Sequence, residues 1–237
     1  YVISPLSKIG SFTPQGNQHE SAKQIAAATN IKTGDHVWRI INSNKQISSN
    51  IIKTFPRIKS AAITFKFPNH FFAKITEYKE SLYLKTGNNY QIVLSNGAVV
   101  SDKQIDDQKL NDMPVLDNFS LQEAKEFVIA YETLKDKVKS QITTVTKTPT
   151  NVTKDFIAIE MKDGNEVRVP LSQMDDKLPY YTSVAAQLTE PSVVDMEAGI
   201  YAKSKEAYQK DLDDANKKTT QKSNNPAPPA SGDSATN

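Results

Sequence analysis

The sequence predicts an α+β chain in three parts. Residues 1–78 read as a small strand-helix-helix-strand-strand domain, 79–202 as a mixed α/β domain with a mainly antiparallel curved sheet, and 203–237 as a disordered polar tail. Three observations carry this reading. In the first part, two stretches with apolar residues every three to four positions precede two alternating runs. In the second, the turn dipeptides Gly87-Asn88, Asn96-Gly97 and Asp163-Gly164 separate apolar runs of strand length. In the third, no bulky apolar residue follows Leu212. Such a segment cannot bury enough apolar surface to offset the entropy of ordering.

The elements follow in order. KIGSFT, residues 8–13, is a short strand. Asn17 with Glu20 three positions on marks the start of a helix through SAKQIAAATN, with Ile25, Ala28 and Thr29 as its apolar face. KTGDH is a turn, and Val37, Trp38, Ile40 and Ile41 supply bulk for a core, with Trp38 as its anchor. A second helix, NKQISSNIIKTF, places Ile47, Ile51 and Phe55 on one face and stops at Pro56, which cannot continue the backbone ladder. RIKSAAITFKF alternates with Ala61, Ile63, Phe65 and Phe67 on one side. It turns at Pro68-Asn69 and returns as HFFAKITEY.

In the second part, LYLKTGNNYQIVLSNGAVV is a meander, and DMPVLDNF is a proline-bearing connection. Ser120 caps a helix whose stripe is Ala124, Phe127, Val128, Tyr131 and Leu134. SQITTVT is a strand, FIAIEMKDGNEVRVPL is a hairpin around Asp163-Gly164, and DDKLPYYTSVAAQL is a short helical element. PSVVDMEAGIYAK, residues 191–203, closes the fold as one strand. Val194, Met196, Ala198, Ile200 and Ala202 lie on one face, with Asp195, Glu197 and Tyr201 on the other. Either this strand is paired on both sides, or its open edge receives a partner.

Composition narrows the function. The net charge is +2, and of 29 basic residues only Arg39, Arg57 and Arg168 are arginine. Nucleic-acid readers cluster their charge and rely on the arginine fork, so a nucleic-acid partner is not expected. With no cysteine, disulfides, thiol catalysis and cysteine metal sites are excluded. The chain opens on Tyr1 rather than Met and reads as a piece of a longer polypeptide. No apolar run approaches the roughly 18 residues needed to cross a bilayer, so any anchor is expected upstream.

Motifs for chemistry are missing. His19, His36 and His70 stand far apart, and there is no nucleophile elbow, phosphate-cradling glycine loop or dinucleotide fingerprint. The pairs Asp106-Asp107, Asp175-Asp176 and Asp213-Asp214 read as loop or cap residues. DDQKLND lacks the central glycine and final glutamate of a calcium loop. No catalytic residue, metal site or cofactor is expected. What remains is surface for partners: Tyr180, Tyr181 and Tyr201 suit either an interface or a core.

The order of these elements resembles a POTRA domain of the FtsQ/DivIB family of bacterial cell-division proteins. TGDHVWRI and the following IIKTFPRIKSAAITFKFPNHFFAKITEYK are similar to the family pattern, with Trp38, Phe55-Pro56 and Glu77 in its characteristic places. MPVLDNF resembles the family's linker, with Met113 for the usual leucine, and LPYYTSV and VVDMEAGIYA resemble its final helix and strand.

The resemblance implies a non-enzymatic, single-pass membrane protein with this region outside the cell at the division septum. It implies a scaffold that binds the small bitopic proteins FtsL and FtsB (DivIC in Gram-positive bacteria), with a septal penicillin-binding wall synthase as a further partner and the POTRA segment acting near the membrane. In the family a partner strand adds to the edge of the last strand. That implies a docking surface of Val193, Val194, Asp195, Met196, Glu197, Ala198, Gly199, Ile200 and Tyr201, flanked by Tyr180 and Tyr181, with Glu197 and Tyr201 setting register. The family's charged contact in the preceding strand has no clear match in EVRVPL. A POTRA-type chaperone or secretion component that binds extended polypeptides by strand addition is the alternative. A wall hydrolase or glycan-binding module would need clustered carboxylates or aromatic platforms, and these are absent from the motifs.

Overall fold

The computed structural model describes residues 7–105, 110 and 113–223. Its first unit comprises β1 (Ser11–Gln15), α1 (Ala22–Ala28), α2 (Val37–Thr54), β2 (Ile58–Lys66) and β3 (His70–Glu77). The three strands lie in the order β1-β3-β2, with β1 parallel and β2 antiparallel to β3. One face of this sheet, through Ala61, Phe71 and Ile75, packs on Ile25 of α1 and Ile40, Ile47 and Ile51 of α2. That is the helix-on-sheet solution an amphipathic helix needs to bury its stripe.

Two expectations change here. The helix start read at Asn17 and Glu20 falls in a turn, where Asn17 Nδ2 donates to the Glu20 carbonyl at 2.7 Å; α1 begins after Ser21. More importantly, α2 begins at Val37, seven residues before the predicted NKQ start. Its buried stripe is then Val37, Ile40, Ile47 and Ile51, and Trp38 falls off that stripe and is 58% exposed. Trp38 is not the core anchor.

The second unit is a nine-stranded sheet in the order β12-β11-β10-β9-β8-β7-β4-β5-β6. Its strands are β4 (Glu80–Thr86), β5 (Asn89–Leu94), β6 (Val99–Ile105), β7 (Val115–Asp117), β8 (Ile142–Lys147), β9 (Phe156–Met161), β10 (Glu166–Pro170), β11 (Ser192–Asp195) and β12 (Tyr201–Ser204). Helices α3 (Leu121–Thr133), α4 (Asp136–Lys139), α5 (Met174–Lys177) and α6 (Tyr181–Ala185) are spaced along it, and α7 (Lys205–Ser223) follows β12. Antiparallel pairings dominate, as expected, but β4–β7, β7–β8 and β10–β11 are parallel.

The stretch DMPVLDNF, expected to be a connection, therefore supplies a central strand. Its three residues are too few to show alternation, yet Leu116 is fully buried and the Pro114 carbonyl accepts from Tyr83 N–H at 2.8 Å. The expected polar tail begins with the end of β12 and the helix α7; residues 224–237 lie outside the described residues, as do Asp106-Asp107 and most of DDQKLND. Asp175-Asp176 sits in the first turn of α5, and Asp213-Asp214 lies exposed on α7.

The two units meet at charged side chains. Arg57, only 2% exposed, donates to Glu80 at 2.7 Å. The Glu77 carboxylate that ends β3 accepts the backbone N–H groups of Gln18, His19 and Glu20 and lies 2.9 Å from His19 Nδ1. Burial works to raise the Glu77 pKa, but the bonds from His19 and from these N–H groups hold it below the ordinary value.

The core of the second unit is α3 against the sheet, where Ala124, Phe127, Val128 and Tyr131 meet Leu84, Leu116, Val145, Ile159 and Val194. Ser120 and Glu123 form a capping box at the start of α3, and Glu123 also pairs with Lys147 of β8. The hydrogen bond from Lys147, then those from Ser120, draw the Glu123 pKa from 4.5 to about 2. A depressed carboxylate stabilises the fold above its unfolded pKa, and that contribution is lost as pH falls through the folded value. Glu123→Gln is therefore expected to lower stability at neutral pH. The gap from the parent should narrow from about pH 4.5 down to about 2, as read by urea unfolding across that range. A gap independent of pH would mean that shape alone, and not charge, ties Glu123 to α3 and β8.

Candidate functional site

The end of the large sheet formed by β10, β11 and β12 is built by a crossover. After β10 the chain runs through α5 and α6 and returns as β11, parallel to β10, with Val167 opposite Val194 and Arg168 opposite Asp195. A parallel pair cannot be joined by a tight turn, so this connection must exist. It is pinned by a polar chain that runs from the exposed Asp163 into the buried Asn165 and Ser192. The Tyr181 hydroxyl donates to the Asp163 carboxylate at 2.6 Å and accepts from Asn165 Nδ2 at 3.0 Å; Asn165 Oδ1 in turn accepts Ser192 N–H at 2.8 Å. Burial, then the Asp163 bond, push the Tyr181 pKa well up, so its hydroxyl stays a donor. The hairpin turn that offers Asp163 and Asn165 depends on Gly164, whose φ of +86° suits glycine.

Beyond Asp195 the chain bends. The Asp195 carboxylate caps Glu197 N–H at 2.8 Å, and the Lys177 ammonium reaches the Met196 and Glu197 carbonyls at 2.5 and 2.6 Å. The ring of Tyr201 lies against Gly199, where a Cβ would stand 2.7 Å from it. The chain then returns as β12, antiparallel to β11 with Asp195 opposite Tyr201 and Val194 opposite Ala202.

The outer face of this end is partly covered by α7. The Arg168 guanidinium stands 5.0 Å from the centre of the Tyr208 ring and also bonds its hydroxyl, while Lys203 pairs with Asp211 at 2.7 Å and Lys205 with Glu160 at 3.3 Å. Between α7 and the strands lies a groove of about 480 Å³ lined by Val193, Asp195, Tyr201, Lys203, Tyr208 and Asp211. Among the described residues, no cluster of three or more histidine, cysteine, aspartate or glutamate side chains could hold a metal, and no helix is long and apolar enough to cross a membrane.

A family model described as "Cell division protein FtsQ/DivIB, C-terminal" matches residues 82–197, and one described as "POTRA domain, FtsQ-type" matches residues 7–78. The chain belongs to the FtsQ/DivIB family. It is 53% identical to the cell division protein DivIB of Lactococcus lactis subsp. lactis strain KF147, over 88% of this chain and 53% of the relative. It is 34% identical to that of Streptococcus gordonii strain Challis, over 90% of this chain and 54% of the relative. The chain thus spans about half the length of the curated relatives it matches. A solved structure of the major extracytoplasmic domain of DivIB from Geobacillus stearothermophilus aligns at 25% identity over 48% of this chain and 95% of its own, with a TM-score of 0.41.

For a member of the FtsQ/DivIB family, the residues read as the docking surface divide into two groups. Val193, Val194, Met196 and Tyr181 are buried. Their side chains belong to the core or lie under α7, and both edges of β11 are taken by β10 and β12. These four are not surface contacts. The strand expected over residues 193–202 is in fact two strands around a bend, because Asp195 and Lys177 fix a turn where the sequence still alternates. Glu197 is tied to the Thr153 hydroxyl within that bend, so it does not face outward to set register. Tyr180, Ala198, Ile200 and Tyr201 are exposed, with Asp195 and Gly199 half-buried.

Sequence reasoning missed two features of this end of the sheet: β12 as the outermost strand, and the cover formed by Tyr208 on Arg168. The Ala198-Gly199 pair inside the alternation was the available sign of the first.

Tyr181→Phe removes one hydroxyl and leaves the buried Asn165 amide short of a partner, while Asp163 is exposed and can turn to water. It is expected to cost about 1–3 kcal/mol in chemical denaturation. Tyr180→Phe, at an exposed position, is expected to change stability by less than about 0.5 kcal/mol. Equal losses at both positions would contradict the anchoring role of Tyr181.

Proposed function

We propose that this chain is the extracellular part of a single-pass membrane protein of the division septum. It acts there as a non-enzymatic scaffold that docks FtsL-type and DivIC/FtsB-type bitopic proteins by strand addition at the outer edge of β12. The observation that supports this reading most is the position of β12 in an FtsQ/DivIB chain: it pairs with β11 on one side and ends the nine-stranded sheet on the other. A septal wall synthase of the penicillin-binding type is a further partner on this reading.

The register says which groups are on offer. Lys205 N–H donates to the Pro191 carbonyl at 3.1 Å, one step beyond the Ser204–Ser192 pair. In an antiparallel ladder, bonded and non-bonded pairs alternate. Lys203 and Tyr201 therefore bond toward β11, and the N–H and C=O of Ala202 turn toward the open edge. A strand of four residues offers few such groups. At about 0.5–1.5 kcal/mol per net hydrogen bond, they set register but fall short of the roughly 8 kcal/mol of a micromolar complex. The rest would come from side chains: Tyr201, 67% exposed, Ile200, and the groove behind them. This is the division of labour in strand addition, with the backbone for alignment and pockets for selectivity.

The test is calorimetric titration of residues 1–237 with the soluble extracellular parts of the FtsL and DivIC counterparts. Ala202→Pro removes the outward donor and leaves the bonds to β11 in place, as proline at a sheet edge can. The parent is expected to bind and the variant to bind at least about tenfold more weakly, a loss of about 1.4 kcal/mol, with unchanged circular dichroism. Equal binding by both proteins would move the interface away from β12.

A further inference from the structure

The two parts of the chain carry charge of opposite sense. Residues 7–78 hold ten lysines and arginines against three acids, Glu20, Asp35 and Glu77, whereas residues 79–237 hold nineteen against twenty-four. Of the ten, only Arg57 is buried, in its pair with Glu80; the other nine are exposed. The near-neutral total conceals a small domain that is strongly basic.

The topology gives this charge a direction. Helix α2, of 18 residues, and β2, of nine, each span about 27–30 Å. The turn at Phe55-Pro56 joins them so that they run antiparallel. Their junction, with Arg57 and Tyr78, faces the large sheet through Glu80. The start of α2 and the β2–β3 turn therefore lie together at the far end. Residues 8–10 tie them: Lys8 bridges to His36, and Gly10 N–H donates to the Asn69 carbonyl at 2.9 Å. At this end two large aromatic side chains are left in solvent, Trp38 at 58% and Phe67 at 72% exposure. Lys8, Lys32, Arg39 and Lys66 are exposed around them, and Asp35, 3.2 Å from Arg39, is the one acid nearby in sequence.

We propose that this end of the small domain rests on an anionic lipid surface, with Trp38 and Phe67 entering the interfacial layer and Lys8, Lys32, Arg39 and Lys66 meeting phosphate head groups. Aromatic rings favour the boundary between head groups and acyl chains. Basic residues close to an anionic leaflet each strengthen attachment through its surface potential. A soluble polyanion would satisfy the lysines and offer nothing apolar to Trp38 and Phe67, and that difference decides for lipid. The inference goes beyond the partner reading and stands apart from it, since no residue of β12 takes part.

Trp38 is the only tryptophan in the chain, so its fluorescence reports on this end alone. Residues 1–237 are titrated with phosphatidylcholine vesicles with and without phosphatidylglycerol, and separately with polyglutamate. With phosphatidylglycerol vesicles, Trp38 emission is expected to move to shorter wavelength and to be quenched by brominated acyl chains. Neither pure phosphatidylcholine nor polyglutamate is expected to cause this. Lys66→Gln is expected to weaken vesicle binding about fivefold, and Phe67→Ser to reduce both binding and the emission shift. Both positions are exposed, and circular dichroism checks that each variant keeps its fold. Unchanged Trp38 emission with phosphatidylglycerol vesicles, or an equal response to polyglutamate, would overturn the proposal. Loss of lipid contact with FtsL and DivIC binding retained would do so without touching the β12 reading.

Discussion

The parallel pairing of β10 with β11 is the constraint on which the far end of the large sheet depends. It forces the chain out through α5 and α6 and back, and the return is held by one buried tyrosine. The Tyr181 hydroxyl joins the hairpin turn at Asp163 and Asn165 to the first residue of β11. With β11 so placed, Val194 completes the core under α3, and the next strand can only be the outermost one. The open edge is thus a consequence of buried packing upstream. It can be short and polar because its position is set elsewhere.

The same end shows two strengths of attachment. β11 is held by core contacts and buried hydrogen bonds, which are costly to break. α7 is held by Tyr208 on Arg168 and by exposed ion pairs of lysine with aspartate and glutamate, and exposed pairs contribute little. The groove of Val193, Asp195, Tyr201, Lys203, Tyr208 and Asp211 lies between these two differently held elements. At the other end of the molecule, Glu80 connects the more acidic large domain to the basic small one through Arg57 at 2.7 Å and His19 Nε2 at 3.6 Å.

Much of this was legible in the sequence, for reasons that differ by element. The stripe of α3 and its Ser120 cap could be read because thirteen helical residues give the period room to show. The hairpin around Gly164 could be read because its turn chemistry is local. Three features could not. β7 is three residues long, and its burial comes from two parallel neighbours distant in sequence. Trp38 was misplaced because the start of α2 lacks a capping side chain, so the helix looked seven residues shorter. The closing strand was read as continuous because Met196 keeps the alternation through a bend that Asp195 and Lys177 impose by hydrogen bonds. Of the docking residues, Tyr201, Ile200 and Ala198 lie on the surface, while Val193, Val194, Met196 and Tyr181 lie inside. Period alone cannot separate a strand with one open edge from one paired on both.

The proposed docking of a partner strand on β12 is open to amide hydrogen exchange of residues 192–204, with and without the soluble FtsL and DivIC segments. The amides of β11 are expected to exchange slowly in both states, and the Ala202 amide quickly alone and slowly in the complex. An Ala202 amide that is already slow in the free protein, or one left unchanged by a partner that binds, would contradict it.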